Sequence, residues 1–335
     1  MATKKTTAKK TTPKSMRKRS AKKTSPQLAV RHLRYNVVNS ATPGTETSHF
    51  IDLAKDLSIL NRRLMRQGRS YHVKRITVVS RDTIAGFPGT APGQQDAGRF
   101  TVSTVPNNWV SQMAWKRGFD AYNSMNKSVQ TKTNDIAGTW ADFKVYLTDD
   151  MRSGTILRPV DNGGTQYLAG EWDYSAYVAP TAAAGVIDEY RTHMLGAHTG
   201  SPGAYTSIGL VQSYGDARAT VLKFSPGVPN DASEDPLVNL FDFGDTTNQL
   251  VDNLETYNDN PPYDQFEYPG DGDNGSKPMV VGQATLADGS ANISGFSAMC
   301  GLLELEVTSP IADDSFSVLV ELSSGSYRGI KADVI

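Results

Sequence analysis

The sequence predicts a mainly all-β chain, an antiparallel sandwich or barrel with helical insertions, preceded by a disordered basic arm. Three observations predict it. Apolar and polar residues alternate in many short runs separated by Gly, Pro and Asp, the pattern of half-buried strands. Only two runs carry a convincing helical period, and the regular strand-to-helix alternation of a parallel α/β sheet is absent. The first 34 residues carry twelve Lys and Arg residues with no acidic residue before Glu46.

The arm, residues 1–34, contains Lys4, Lys5, Lys9, Lys10, Lys14, Arg17, Lys18, Arg19, Lys22, Lys23, Arg31 and Arg34, spaced mostly by Thr, Ser, Ala and Pro. So little apolar surface cannot offset the entropy of ordering a chain, so the arm is expected to be disordered when free. A block of charge of one sign is the footprint of phosphate neutralisation and makes all twelve residues candidate nucleic-acid ligands. Arg17-Lys18-Arg19 with Lys22-Lys23 would also serve as a nuclear-localisation signal. No apolar h-region follows, which excludes an ordinary signal peptide, and Lys outnumbers Arg, unlike a transit peptide.

The body, residues 35–335, reads as one shell of strands. Leu28, Val30, Leu33, Tyr35 and Val37 give Gln27 to Val38 a weak alternating pattern that fits either a short strand or an ordered linker. Leu53, Leu57, Leu60 and Leu64 recur at helical spacing over Asp52 to Gly68, with Arg62, Arg63 and Arg66 on the opposite face. That face is either solvated or an inward extension of the nucleic-acid surface. Tyr71 and Val73 lie in one strand phase and Ile76 and Val78 in the other, so a bulge is expected at Lys74-Arg75. A Gly/Pro-rich loop precedes the Phe100 and Val102 alternation. Asn107 or Asn108 can cap a helix from Trp109 to about Val129, whose apolar face is broad enough to need a sheet or a neighbouring subunit over it. Further strands are expected at Ala141 to Leu147, Ala219 to Phe224, Met279 to Leu286, Leu303 to Val307 and Phe316 to Leu322. Long loops are expected over 149–185 and 225–277; loops beyond about 15 residues are uncommon without a function.

The formal net charge of -1 conceals a division. Phe224 to Ser276 holds twelve acidic residues and no Lys, Arg or His, so the cationic arm is answered by an anionic segment far along the chain. Within it, Asp271 and Asp273 crowd hard oxygen ligands together; the metal such a group would take is calcium, although the closing Glu of a calcium loop is missing. No other metal or cofactor is expected.

Signatures of catalysis are absent. There is no G-x-S-x-G elbow, phosphate loop or dinucleotide fingerprint, and His193 and His198 lack the Glu of a zinc-hydrolase helix. The single cysteine, Cys300, lies in an apolar run and reads as a core thiol. The expectation is a protein that is not an enzyme.

Pro106-Asn107-Asn108-Trp109-Val110, followed by Ala114-Trp115, Gly118-Phe119 and Met125-Asn126, resembles a segment of capsid proteins from circular, Rep-encoding single-stranded DNA viruses. Met299-Cys300-Gly301-Leu302-Leu303 is similar to their C-terminal strand segment. The resemblance implies a single antiparallel jelly roll of two four-stranded sheets, helix 109–129 as an insertion, and assembly with other copies of the chain into an icosahedral shell. It further implies packaging of viral single-stranded DNA by an inward-pointing arm, and residence in the virion and in the host nucleus during assembly. Two other readings fit the composition: a histone-like DNA-binding protein, and a carbohydrate-binding β-sandwich with a basic leader.

Overall fold

The computed structural model describes residues 28–80, 98–133, 140, 142–180, 187–201, 204–219, 278–286 and 289–335. In chain order the elements are β1 (His32–Val38), β2 (Thr47–Asp52), α1 (Leu53–Asn61), β3 (Arg69–Ser80), β4 (Arg99–Thr104), α2 (Trp109–Thr133) and α3 (Asp149–Ser153). They continue with β5 (Ala176–Pro180), β6 (Ile187–His193), β7 (Thr199–Ser201), β8 (Ala204–Gly209) and α4 (Leu210–Ala219). Last come β9 (Met279–Thr285), β10 (Ser290–Met299), β11 (Leu302–Thr308), β12 (Ser315–Leu322) and three short strands, β13 (Ser324–Gly325), β14 (Gly329–Ile330) and β15 (Ala332–Val334).

The protein is mainly β, and its body is antiparallel. One sheet has the order β1-β12-β3-β10, with β15 added to β3, and a second has the order β2-β11-β4-β9. Alternation decides what lies between them. Leu33, Tyr35 and Val37 from β1, Ile76 and Val78 from β3, Leu303, Leu305 and Val307 from β11, and Phe316, Val318 and Val320 from β12 are buried in one core. Their polar alternates face away, as a period of two requires. The expected bulge is present: Glu321 pairs with Arg75 but Leu322 pairs with Val73, leaving Lys74 as the extra residue.

The connections gather at two ends. At one, Asn39 N–H donates to Asp314 O, Gly44 N–H to Ser309 O and Ser80 N–H to Gly289 O, and Ser80 Oγ donates to Asp314 Oδ1 at 3.3 Å, tying three connections to the end of β3. At the other, Leu53 N–H donates to Gly301 O across the Cys300-Gly301 turn, where both residues have positive φ (59° and 71°). A Cβ on Gly301 would lie 3.0 Å from the Tyr71 ring, so glycine is favoured there by space as well as by φ.

Between β4 and β9 the chain builds a second core. Strands β5-β6-β8-β7 form a small sheet in which β6 and β8 run parallel. Helix α2, capped by Asn108 Oδ1 accepting from Ser111 N–H at 2.9 Å, buries Val110, Ala114 and Trp115 with Phe143, Tyr177, Leu210 and Val211. Its broad face is thus covered within the chain, by α4 and the small sheet. Phe50, Met299, Cys300 and Leu302 join this core to the sandwich.

Several expectations need correction. The arm ends earlier than residue 34, because Arg34 lies in β1 and Arg31 O accepts from Leu322 N–H; pairing with β12 supplies what the local sequence lacks. Helix α1 stops at Asn61, not Gly68, since Arg62 adopts a left-handed φ of 50° and Ser58 Oγ accepts from Met65 N–H. The segment around 142–147 is buried but is not a ladder strand: Lys144 N–H donates to Ser175 Oγ and Val145 N–H to Gln67 Oε1, and the segment meets the end of β6 through a single parallel bridge, Tyr146 to His193, with Tyr146 N–H donating to Thr192 O. Residues 149–180 contain α3 and β5 and are no single loop. Ala219 ends helix α4, which the alternating reading missed. Residues 220–224, the acidic segment 225–277 and the arm through residue 27 lie outside the described residues.

Candidate nucleic-acid interface

Helix α1 begins on Asp52, whose Oδ1 accepts from Lys55 N–H at 3.0 Å, an N-cap of the expected chemistry. The other carboxylate oxygen accepts from Gln67 Nε2 at 2.8 Å, Trp172 Nε1 at 3.0 Å and Tyr174 OH at 3.1 Å. One buried carboxylate therefore ties α1 to the turn after it and to the 172–174 segment. Burial raises the Asp52 pKa, against the pull of Lys55 and these donors.

Lys55 is itself buried, with Nζ 3.3 Å from Leu157 O and 3.8 Å from Asp56 Oδ1. Asp56 accepts from Tyr35 OH at 2.7 Å. Burial pushes the Asp56 pKa up to about 7, with Lys55 opposing the shift. Across from α1, Lys144 Nζ sits 4.7 Å from the centre of the Trp172 ring and 3.4 Å from Trp140 O, within range of a cation–π contact. Burial lowers the Lys144 pKa, partly countered by Asp142 and Asp52.

These groups frame a cavity of about 360 Å³ between the end of α1 and residues 140–144 and 169–172. Lys55, Arg62, Arg63 and Lys144 line it with Trp140 and Trp172, and among the described residues Glu171 is the single lining carboxylate. The left-handed turn at Arg62 that ends α1 is what brings both arginines to the rim. The arm departs beside it. Asn61 Nδ2 donates to Val30 O at 3.1 Å and its Oδ1 accepts from Val30 N–H at 2.8 Å, a two-bond clamp on the root of the arm.

The sequence-derived residues are thus sorted. Lys4, Lys5, Lys9, Lys10, Lys14, Arg17, Lys18, Arg19, Lys22 and Lys23 lie outside the described residues, as do Asp271 and Asp273. Arg62 and Arg63 share the cavity. Arg66 does not join them: its Nη1 lies 3.9 Å from Asp142 and its N–H donates to Tyr327 OH. Arg34 donates through Nε to Ser317 Oγ at 3.1 Å, on the outward face of the first sheet. Lys74 and Arg75 both pair with Glu321, at 2.7 and 2.8 Å. His193 bonds Ser207 Oγ and Ala197 O, while His198 Nδ1 accepts from Gly209 N–H. Among the described residues no group of three His, Cys, Asp or Glu side chains is placed to hold a metal. Lys55, Lys144, Trp140 and Trp172 were not legible as site residues, because each stands alone in its own stretch and they meet only through the fold.

No protein-family model, no curated protein and no solved structure matches the chain.

Proposed function

We propose that this chain is the shell protein of a viral capsid, related to those of circular, Rep-encoding single-stranded DNA viruses, and that its body is a jelly roll. The observation that carries the reading is the strand order. Eight antiparallel strands divide as β1-β12-β3-β10 and β2-β11-β4-β9, with β1, β3, β10 and β12 in one sheet and β2, β4, β9 and β11 in the other. This interleaving supports a jelly roll of two Greek keys, an architecture shared by capsid and lectin domains. Fold alone does not choose between them. The arm supports the capsid, because ten Lys and Arg residues precede residue 28, and Val30, just after them, is bonded to Asn61 next to Arg62 of the cationic cavity.

In this reading the arm neutralises packaged single-stranded DNA. Each phosphate contact releases a counterion, giving a salt slope of about -0.7 per contact on single strands. Affinity per subunit is modest, and linkage of many arms in one shell makes it collectively strong. The partners are other copies of the chain and the genome, with the virion and the host nucleus as sites of residence.

Electron microscopy of the expressed chain tests assembly, and the ratio of nucleic-acid to protein absorbance tests packaging. Uniform closed particles are expected, and deletion of residues 1–26 is expected to strip most of the nucleic acid. Small soluble species would refute the capsid reading, and undiminished packaging by the deletion variant would refute the role of the arm.

A further inference from the structure

We propose that the cavity beside α1 is a stacking site for one unpaired nucleotide, with Trp140 presenting the face for the base and Arg62 and Arg63 holding the adjoining phosphodiester. The inference rests on the nucleic-acid reading above and deepens it by naming the chemical class the cavity takes.

Trp140 carries the argument. It is 67% exposed, although a tryptophan is among the side chains with most to gain from burial. It stands at the rim of a cavity of about 360 Å³, within the range of small-molecule sites. Of the lining charges, Lys55 is bonded to Leu157 O and lies near Asp56, and Lys144 is bonded to Trp140 O beside the Trp172 ring. Four cationic side chains face one carboxylate, Glu171, which leaves the lining positive. A cationic groove with an exposed aromatic face is what sequence-tolerant recognition of single strands requires, since every base offers a π-face and every link a phosphate.

Duplex bases are stacked on their neighbours and cannot offer that face, so the site selects single strands. The arm itself contains no Phe, Tyr or Trp before Tyr35. The Asn61 clamp on Val30 places its root next to the cavity, so arm and cavity act on the same strand. The arm supplies charge and the cavity supplies stacking.

The test uses the full chain, with oligothymidylate and inorganic polyphosphate as probes, read by tryptophan fluorescence and by titration of affinity. Oligothymidylate is expected to quench Trp140. Trp140→Ala is expected to weaken oligothymidylate binding about tenfold and to leave polyphosphate binding unchanged, and Trp140→Phe to restore most of the loss. Unchanged oligothymidylate affinity in Trp140→Ala overturns the proposal, and so does an equal loss for both probes, which would report charge or folding instead of stacking. If the wild-type chain fails to bind polyphosphate, the role of the arm fails, while quenching by oligothymidylate still decides the cavity.

Discussion

Asp52→Ala is the most informative single perturbation of this fold. The substitution removes the N-cap of α1, a loss of about 1 kcal/mol. It also strips the acceptor from Gln67 Nε2, Trp172 Nε1 and Tyr174 OH, of which Gln67 and Tyr174 are buried. An orphaned buried donor costs about 1–3 kcal/mol, and donors that share one acceptor do not add fully. Relief of the desolvated carboxylate returns part of the loss, since burial already disfavours its charge. The expected net destabilisation is about 3–5 kcal/mol, a large fraction of the stability of an ordinary domain. Asp52→Asn keeps the cap through its carbonyl oxygen while turning an NH₂ toward the other donors, so it should cost less, about 2 kcal/mol. Urea unfolding followed by tryptophan fluorescence measures both, and a lowered midpoint at constant slope is the expected signature. A loss below about 1 kcal/mol for the alanine variant, or a greater loss for the asparagine variant, would refute the view that one carboxylate joins α1 to the 172–174 segment.

Two further outcomes follow from the same network and from the core. Asp56 titrates near 7 in the folded chain because it is buried, against about 3.9 in an unfolded chain. Between those values the folded state keeps a proton that the unfolded state has lost, so the Asp56 contribution to stability is greatest at the acid end and falls as pH rises to about 7, by up to ~1.4 kcal/mol per pH unit. Asp56→Asn should flatten that slope in unfolding measurements across the window, leaving the part due to Glu304, which burial and Glu306 also push up to about 7. A profile identical to wild type would remove Asp56 from the account. In the sandwich, a Cβ on Gly282 would lie 2.2 Å from Ile293 Cγ2. Gly282→Ala should therefore destabilise by about 1–3 kcal/mol in thermal unfolding, and Ile293→Leu, which removes the Cγ2 methyl, should recover part of it in the same chain.

How much was legible can be argued residue by residue. Alternation at Leu303, Leu305 and Val307 and at Phe316, Val318 and Val320 gave strands whose inward faces are the buried ones. The phase slip at Lys74-Arg75 marked a real bulge, because a change of phase leaves its trace in the sequence itself. Helix α1 was overextended because Leu64 keeps the helical period after the chain has turned; the stop is made by Arg62 φ and the Ser58 hydroxyl. The segment around 142–147 alternates like a strand, yet Val145 and Lys144 bond the side chains of Gln67 and Ser175, 78 and 31 residues away, and a single bridge at Tyr146 joins it to β6.

The sequence by itself determined the β-rich body, the positions of β1, β3, β4, β9, β11 and β12, the start of helix α2 after the Asn107-Asn108 pair and the cationic arm, since periodicity, capping and charge runs are properties of neighbouring residues. Tertiary structure alone decided which strands lie side by side and which stretches meet at the cavity. Residues 55–64, 140–144 and 169–172 carry no mutual signal along the chain, and they converge because Asp52 draws Gln67, Trp172 and Tyr174 onto the start of α1.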